Sequence, residues 1–241
     1  MKRLADLTVK IFADGADLAG MLAMAKNPLV KGFTTNPSLM RKAGVADYES
    51  FAREVIAAIP DRPISFEIFA DELGAMIAQG RKIGSWGSNV YVKVPVTDTA
   101  GRFSGEAISV LSREGIALNV TAIMTLDQVR AVAEALAPDV PAVVSVFAGR
   151  IADTGRDPVP HMRACVEALK FRPHAELLWA SSREALNLFQ ADEIGCHIIT
   201  MTNDLIAKLV LHGRDLVEYS RDTVQTFFKD AAAAGYQLRL G

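Results

Sequence analysis

Short apolar runs rich in Val, Ile and Phe recur along this chain, each followed by a longer stretch with the apolar spacing of an amphipathic helix. The strand-like runs are Val9–Asp14, Val30–Asn36, Ile64–Ala70, Asn89–Val96, Ala117–Ile123, Ala142–Gly149, Ala175–Ser181 and His197–Thr202. Between them lie helix-like stretches such as Asp47–Ala58, Asp71–Ile83, Ser104–Ser112, Leu126–Leu136, Val159–Leu169, Arg183–Ala191 and Asn203–Leu211. Strands that are apolar on both faces need cover on both faces, so this alternation predicts a parallel sheet coated by helices. About eight such repeats in 241 residues fit a closed (β/α)8 barrel better than an open doubly wound sheet. Barrels of roughly 200–250 residues are routinely one domain. No Pro/Ser/Gly-rich linker or low-complexity segment interrupts the pattern, so a single domain over residues 1–241 is expected. The tail, about 215–236, reads as a long extra helix in which Phe227 and Phe228 are adjacent. It suits a cap on the barrel and a contact with a neighbouring subunit equally well.

Charge narrows the partners. Lys and Arg total 26 against 28 Asp and Glu, a net charge of −2, and no basic cluster is interleaved with aromatics, so nucleic acid is not expected. A small anion remains compatible, because one or two local arginines hold a phosphate without making a protein basic. Asp6, Lys10, Asp14 and Asp17 break up the N-terminal region, which argues against a signal peptide or a membrane helix there. Cys165 and Cys196 sit in apolar patterns and read as reduced, buried residues of a cytoplasmic protein. His161, His174, His197 and His212 show no paired spacing at strand ends, so no metal is expected. Asp14-Gly15-Ala16-Asp17 lacks the glycine fingerprint of a dinucleotide site, and no cofactor is expected.

In a barrel of this type the active site lies where the strands end. Asp14, Thr34, Asn36, Glu67, Lys93, Asn119, Thr121, Ser145, Arg150, Ser181 and Arg183 all fall within or just after strand-like runs. So many polar groups at one end cost desolvation unless they pair with each other or with a ligand. Lys93, in Val90-Tyr91-Val92-Lys93-Val94-Pro95-Val96, is the most unusual. A strand lysine is often an exposed edge charge or a snorkelling side chain, and a closed barrel has no edge. Burial disfavours an ammonium, and a neutral amine is what a carbonyl nucleophile needs. Plainer readings stand beside the others. Asp14 and Asn36 suit turns after strands, Thr34 and Thr35 suit any strand, and Ser182 could cap a helix with Arg183 solvated in its first turn.

Taken together, these residues resemble the transaldolase family, which includes the small fructose-6-phosphate aldolases. Gly32-Phe33-Thr34-Thr35-Asn36-Pro37-Ser38-Leu39 matches the family's TTNPS motif, and Phe12-Ala13-Asp14 followed by Asp17 looks like its first strand. Tyr91-Val92-Lys93-Val94-Pro95 is similar to its Schiff-base strand, and Gly115–Thr121 to its fifth strand. Ser145-Val146-Phe147-Ala148-Gly149-Arg150-Ile151 and Ala180-Ser181-Ser182-Arg183 resemble its two later segments, in the same order. The resemblance implies Lys93 as the imine-forming nucleophile and Asp14 as the proton shuttle for the C4 hydroxyl. It implies a catalytic water held by Glu67 with Thr121. Asn36, Asn119 and Ser181 would hydrogen-bond the dihydroxyacetone hydroxyls, Thr34, Ser145 and Phe147 would join them in binding substrate, and Arg150 and Arg183 would hold the terminal phosphate.

Within that family, Glu67, Phe147 and Asn119 are transaldolase-like, where the aldolases resemble Gln, Tyr and no Asn. A transferase moving a dihydroxyacetone unit between sugar phosphates is therefore expected, with a dihydroxyacetone-releasing aldolase as the alternative. The chain also departs from the pattern. Its Thr97–Glu106 connection is longer, Val146 replaces a proline, and Ser182 replaces an aromatic residue before Arg183. These changes leave room for another anionic sugar, such as a sulfonate. Small members of the family resemble ring-forming assemblies, which implies a homo-oligomer.

Overall fold

The computed structural model describes residues 2–238. Eight parallel strands close on themselves in chain order, each hydrogen-bonded to its sequence neighbours and the last to the first, so the expected (β/α)8 barrel is what the chain forms. The first half runs β1 (Lys10–Asp14), α1 (Leu18–Ala25), β2 (Val30–Thr34), α2 (Pro37–Lys42), α3 (Tyr48–Ala58), β3 (Ile64–Glu67), α4 (Leu73–Gly84) and β4 (Val90–Pro95). The second half runs α5 (Gly105–Arg113), β5 (Leu118–Ile123), α6 (Leu126–Ala135), β6 (Ala142–Val146), α7 (Ala148–Asp153), α8 (Pro158–Leu169), β7 (Ala175–Trp179), α9 (Leu186–Glu193), β8 (Ile198–Thr202) and α10 (Asn203–Ala207). Short helices α1, α2 and α7 are additions to the sequence expectation, and the predicted helix over 203–211 is α10 followed by a 3-10 turn at Lys208–Leu211.

Two compact units emerge, the barrel over Lys2–Ala207 and a second from Lys208 onward. The second carries α11 (Leu216–Ala233), capped by Asp215 through the backbone N–H groups of Val217 and Glu218, and no residue of this helix is buried. Among the described residues no helix is long and apolar enough to cross a membrane.

Two local features shape the barrel's interior. Phe12, Val143, Leu178, Ala180 and Ile198 form a buried cluster against which Tyr91 and Phe147 pack. Gly32 makes room for it, since a Cβ there would lie 2.6 Å from the Phe12 ring. On the outside, α6 shows the clearest start signal, a reciprocal capping box between Thr125 and Gln128. Cys165 and Cys196 are buried and unpaired, and burial pushes both thiols up to about 12.

Candidate active site

Side chains in a strand alternate between faces, so residues two apart in one strand share a face. Register places Glu67 of β3 beside Lys93 of β4, and Lys93 beside Asn119 of β5. Pro95 pairs with Thr121, and Asp14 of β1 pairs with Thr34 of β2. At the strands' C-terminal ends these groups open onto a cavity of about 360 Å³. Asp14, Thr34, Asn36, Glu67, Lys93, Asn119, Thr121, Ser145, Phe147, Arg150 and Ser181 all line it. Of the expected site residues only Arg183 is not part of this lining.

Lys93 is buried, and its Nζ donates to the Thr35 carbonyl at 2.8 Å and faces Glu67 Oε2 at 3.2 Å. That carbonyl belongs to a residue held in place by its own hydroxyl, which donates to the Ser65 carbonyl at 2.8 Å. Tyr48, on α3, donates its hydroxyl to the Glu67 carbonyl at 2.8 Å and so secures the end of β3 from behind. Burial pushes the Tyr48 phenol upward, which keeps it a donor. Asp14 accepts from the Thr34 hydroxyl at 2.8 Å. Desolvation raises the Asp14 carboxyl above its ordinary value, while the Lys93 charge and the Thr34 hydrogen bond pull it down and the Glu67 charge adds to the rise.

A chain of hydrogen bonds links β6, β5 and β3 beside these groups. Ser145 Oγ donates to Asn119 Oδ1 at 2.6 Å, and Asn119 Nδ2 donates to Ser65 Oγ at 2.9 Å. The Asn119 amide orientation is thereby set from both ends. Thr34 Oγ1 also lies 2.6 Å from Thr200 Oγ1 of β8, linking the first two strands to the last. Thr121 differs: its Oγ1 is buried with no protein partner, as expected of a hydroxyl that serves a ligand or water. Asn36 combines both of its sequence readings, for its Oδ1 caps α2 through the Leu39 N–H at 3.0 Å while the residue lines the cavity.

Two helix-leading segments form the far rim. Arg150, on α7, has its guanidinium 5.1 Å from the centre of the Phe147 ring. Ser181 adopts a left-handed backbone, φ 60°, unusual for a residue with a side chain. The segments touch so closely that a Cβ on Gly149 would fall 1.6 Å from the Ser181 carbonyl oxygen. Arg183 turns instead to Asp153, with Nε donating to Oδ1 at 3.0 Å and Nη2 to Oδ2 at 2.5 Å. The alternative in which Ser182 caps a helix is not what forms: α9 begins at Leu186, and the Ser182 hydroxyl donates to the Thr200 carbonyl at 2.8 Å.

Ser65 and Thr200 are site residues that sequence reasoning missed. Ser65 was detectable in principle, because it stands two residues before Glu67 in a four-residue strand and must share its face. Thr200 had the weaker signal of a hydroxyl inside an otherwise apolar run. Chemically, the assembly offers a buried amine, two nearby carboxylates in different surroundings, an unpartnered hydroxyl and a cationic rim.

Comparison with known proteins agrees with this geometry. The family model described as Transaldolase/Fructose-6-phosphate aldolase matches residues 11–239. A probable transaldolase of Streptococcus equi subsp. zooepidemicus is 35% identical over 228 residues, covering 93% of this chain and 99% of the relative. One from Dehalococcoides mccartyi is 34% identical over 205 residues, covering 85% and 91%. Among solved structures, 3-hexulose-6-phosphate synthase from Salmonella typhimurium superposes with a TM-score of 0.56 at 16% identity, covering 92% of this chain and 99% of that one. A 2,3-dimethylmalate lyase gives 0.57 at 12%, covering 97% and 86%. Likenesses this distant show the barrel alone. The family match over nearly the whole chain decides more: the protein belongs to the transaldolase/fructose-6-phosphate aldolase family.

Proposed function

We propose that the protein is a transaldolase, moving a dihydroxyacetone unit from a ketose phosphate to an aldose phosphate through an imine on Lys93. The observation that carries this reading is the buried Lys93 Nζ, 3.2 Å from Glu67 in the cavity that Asp14 also lines. Passing a proton to Glu67 frees the amine to attack the ketose carbonyl, and loss of water from the resulting carbinolamine leaves a protonated imine. Asp14 takes the C4 hydroxyl proton as the C3–C4 bond breaks, and the electron pair of that bond moves into the imine to give an enamine. The aldose phosphate leaves. An acceptor aldehyde then accepts the enamine carbon, Asp14 returns its proton to the new alkoxide, and water held by Glu67 and Thr121 releases the product ketose.

Asn119 supports retention of the enamine, since both ends of its amide are held and its position is preset for a small polyol. Arg150, which lines the cavity, supplies positive charge for the terminal phosphate. Assembly into a homo-oligomer is part of the same reading, supported by the exposed Val217, Val224, Phe227 and Phe228 of α11. The test is borohydride reduction in the presence of fructose 6-phosphate, followed by turnover with and without erythrose 4-phosphate. A stable adduct on Lys93 and product formation only with the acceptor are expected. No adduct would sink the imine mechanism, and free dihydroxyacetone without an acceptor would identify an aldolase instead.

A further inference from the structure

We infer that Asp153 tunes the affinity for the terminal group of the substrate, by competing for Arg183, which leaves the carboxylate only for a group with more than one negative charge. The inference rests on reading the cavity as a sugar-phosphate site. Its basis is a contrast at the rim. Arg150 and Ser181 line the cavity, whereas Arg183, two residues past Ser181, does not. Its guanidinium is instead forked onto Asp153, one turn along α7 from Arg150.

The surrounding backbone has little freedom to rearrange. Gly149 N donates to the Ala180 carbonyl at 3.2 Å, and the glycine lies against the Ser181 carbonyl with no room for a methyl group. Ser182 is tied to Thr200, and Arg183 N donates to Asn187 Oδ1 at 2.8 Å. Reaching the cavity is therefore a matter of rotating the Arg183 side chain alone. That rotation is accessible, because the side chains of Arg183 and Asp153 are 46% and 52% exposed and exposed ion pairs are weak.

Charge decides which ligand can induce it. A singly charged group offers the guanidinium an exchange of like for like against the Asp153 carboxylate. A phosphate monoester carries roughly −1.5 to −2 at neutral pH and presents three acceptor oxygens, so it outbids the carboxylate. Once released, Asp153 is rehydrated at little cost because half of its side chain is already in water.

The experiment is calorimetric titration of the full chain with inorganic phosphate at mildly alkaline pH, where it is a dianion, and with methanesulfonate as the monoanion. Wild type is expected to prefer phosphate. Asp153→Asn should tighten phosphate, which must break the ion pair to recruit Arg183, by about two- to fivefold more than methanesulfonate, which leaves the pair intact, so that the preference widens. In an Arg183→Ala background the same substitution should leave the ratio of the two affinities where it was. With fructose 6-phosphate as donor, the Asp153→Asn effect should fall in KM rather than kcat. Four results would overturn the inference: no phosphate binding by wild type, weaker phosphate binding in Asp153→Asn, an unaltered or narrowed ratio, or an equal change in the absence of Arg183. These titrations require no turnover. Loss of the Lys93 adduct with anion selectivity intact would refute the reaction, whereas an adduct with no selectivity would refute only the role of Asp153.

Discussion

Asp14 is held between opposing influences, and its protonation decides when the site can work. Burial disfavours its charge, the Lys93 cation favours it, and the Thr34 hydroxyl donates to it at 2.8 Å. A base in the bond-breaking direction must be ionised, so kcat/KM should rise with pH along a limb lying above the ordinary carboxylate range. Replacing Thr34 by Val removes one influence that lowers the Asp14 pKa and keeps the side chain's shape. The acid limb of kcat/KM should therefore move to higher pH in Thr34→Val, while the alkaline plateau changes much less. A limb that stays in place, or moves down, would show that Asp14 does not control it. Thr34 also contacts Thr200, so a thermal melt of the variant should accompany the pH profile to separate titration from loss of fold.

Close approaches between elements separate two kinds of glycine. At Gly32 an added Cβ would meet the tip of the Phe12 ring at 2.6 Å, and a ring in a core can shift by a few tenths of an ångström. At Gly149 it would meet the Ser181 backbone oxygen at 1.6 Å, which no rotamer change relieves. Gly32→Ala should cost about 1–3 kcal/mol, as overpacking usually does, and leave the rim intact. Gly149→Ala should cost more than Gly32→Ala, and it should raise KM for a phosphorylated donor by displacing Ser181 and Arg150. Denaturant titration and steady-state kinetics together check the order.

The same elements show what could be read from sequence. Lys93, Glu67 and Asn119 were legible because polar residues stand out in buried strands, and parallel order made them neighbours. Helix α7, only six residues long and directly after a strand, is too short to show a period, so its first residues, Ala148 and Gly149, read as the end of the β6 run. The alternative reading of Ser182 as a helix cap is not met, because the Thr200 carbonyl on the neighbouring strand β8 takes its hydroxyl. Asp153 and Arg183 are 30 positions apart, and nothing local announces their pairing.

At the scale of the whole molecule, the barrel and the C-terminal helix pose different physical problems. The barrel hides its own apolar surface, with strand residues such as Phe33, Phe66, Val92 and Leu178 fully buried. Helix α11 does the reverse, leaving Leu216, Val217, Phe227 and Phe228 between 67% and 78% exposed. Apolar surface of that kind marks an interaction site. Light scattering should accordingly report a species heavier than the 26.0 kDa chain, and a Phe227→Ser/Phe228→Ser double variant should shift it towards the monomer. A wild-type monomer would remove α11 as the assembly element. Closure of the barrel has a consequence in time as well as in space. Thr34 meets Thr200 across 166 positions, and β1 pairs with β8, so the ring cannot shut until its last strand has joined its first. Loops that long close late in folding, after local helices have formed. During refolding, the helical signal in far-ultraviolet circular dichroism should return first, and a lysine that ketose and borohydride can label should return last. An intermediate that has regained its helices would still be chemically mute.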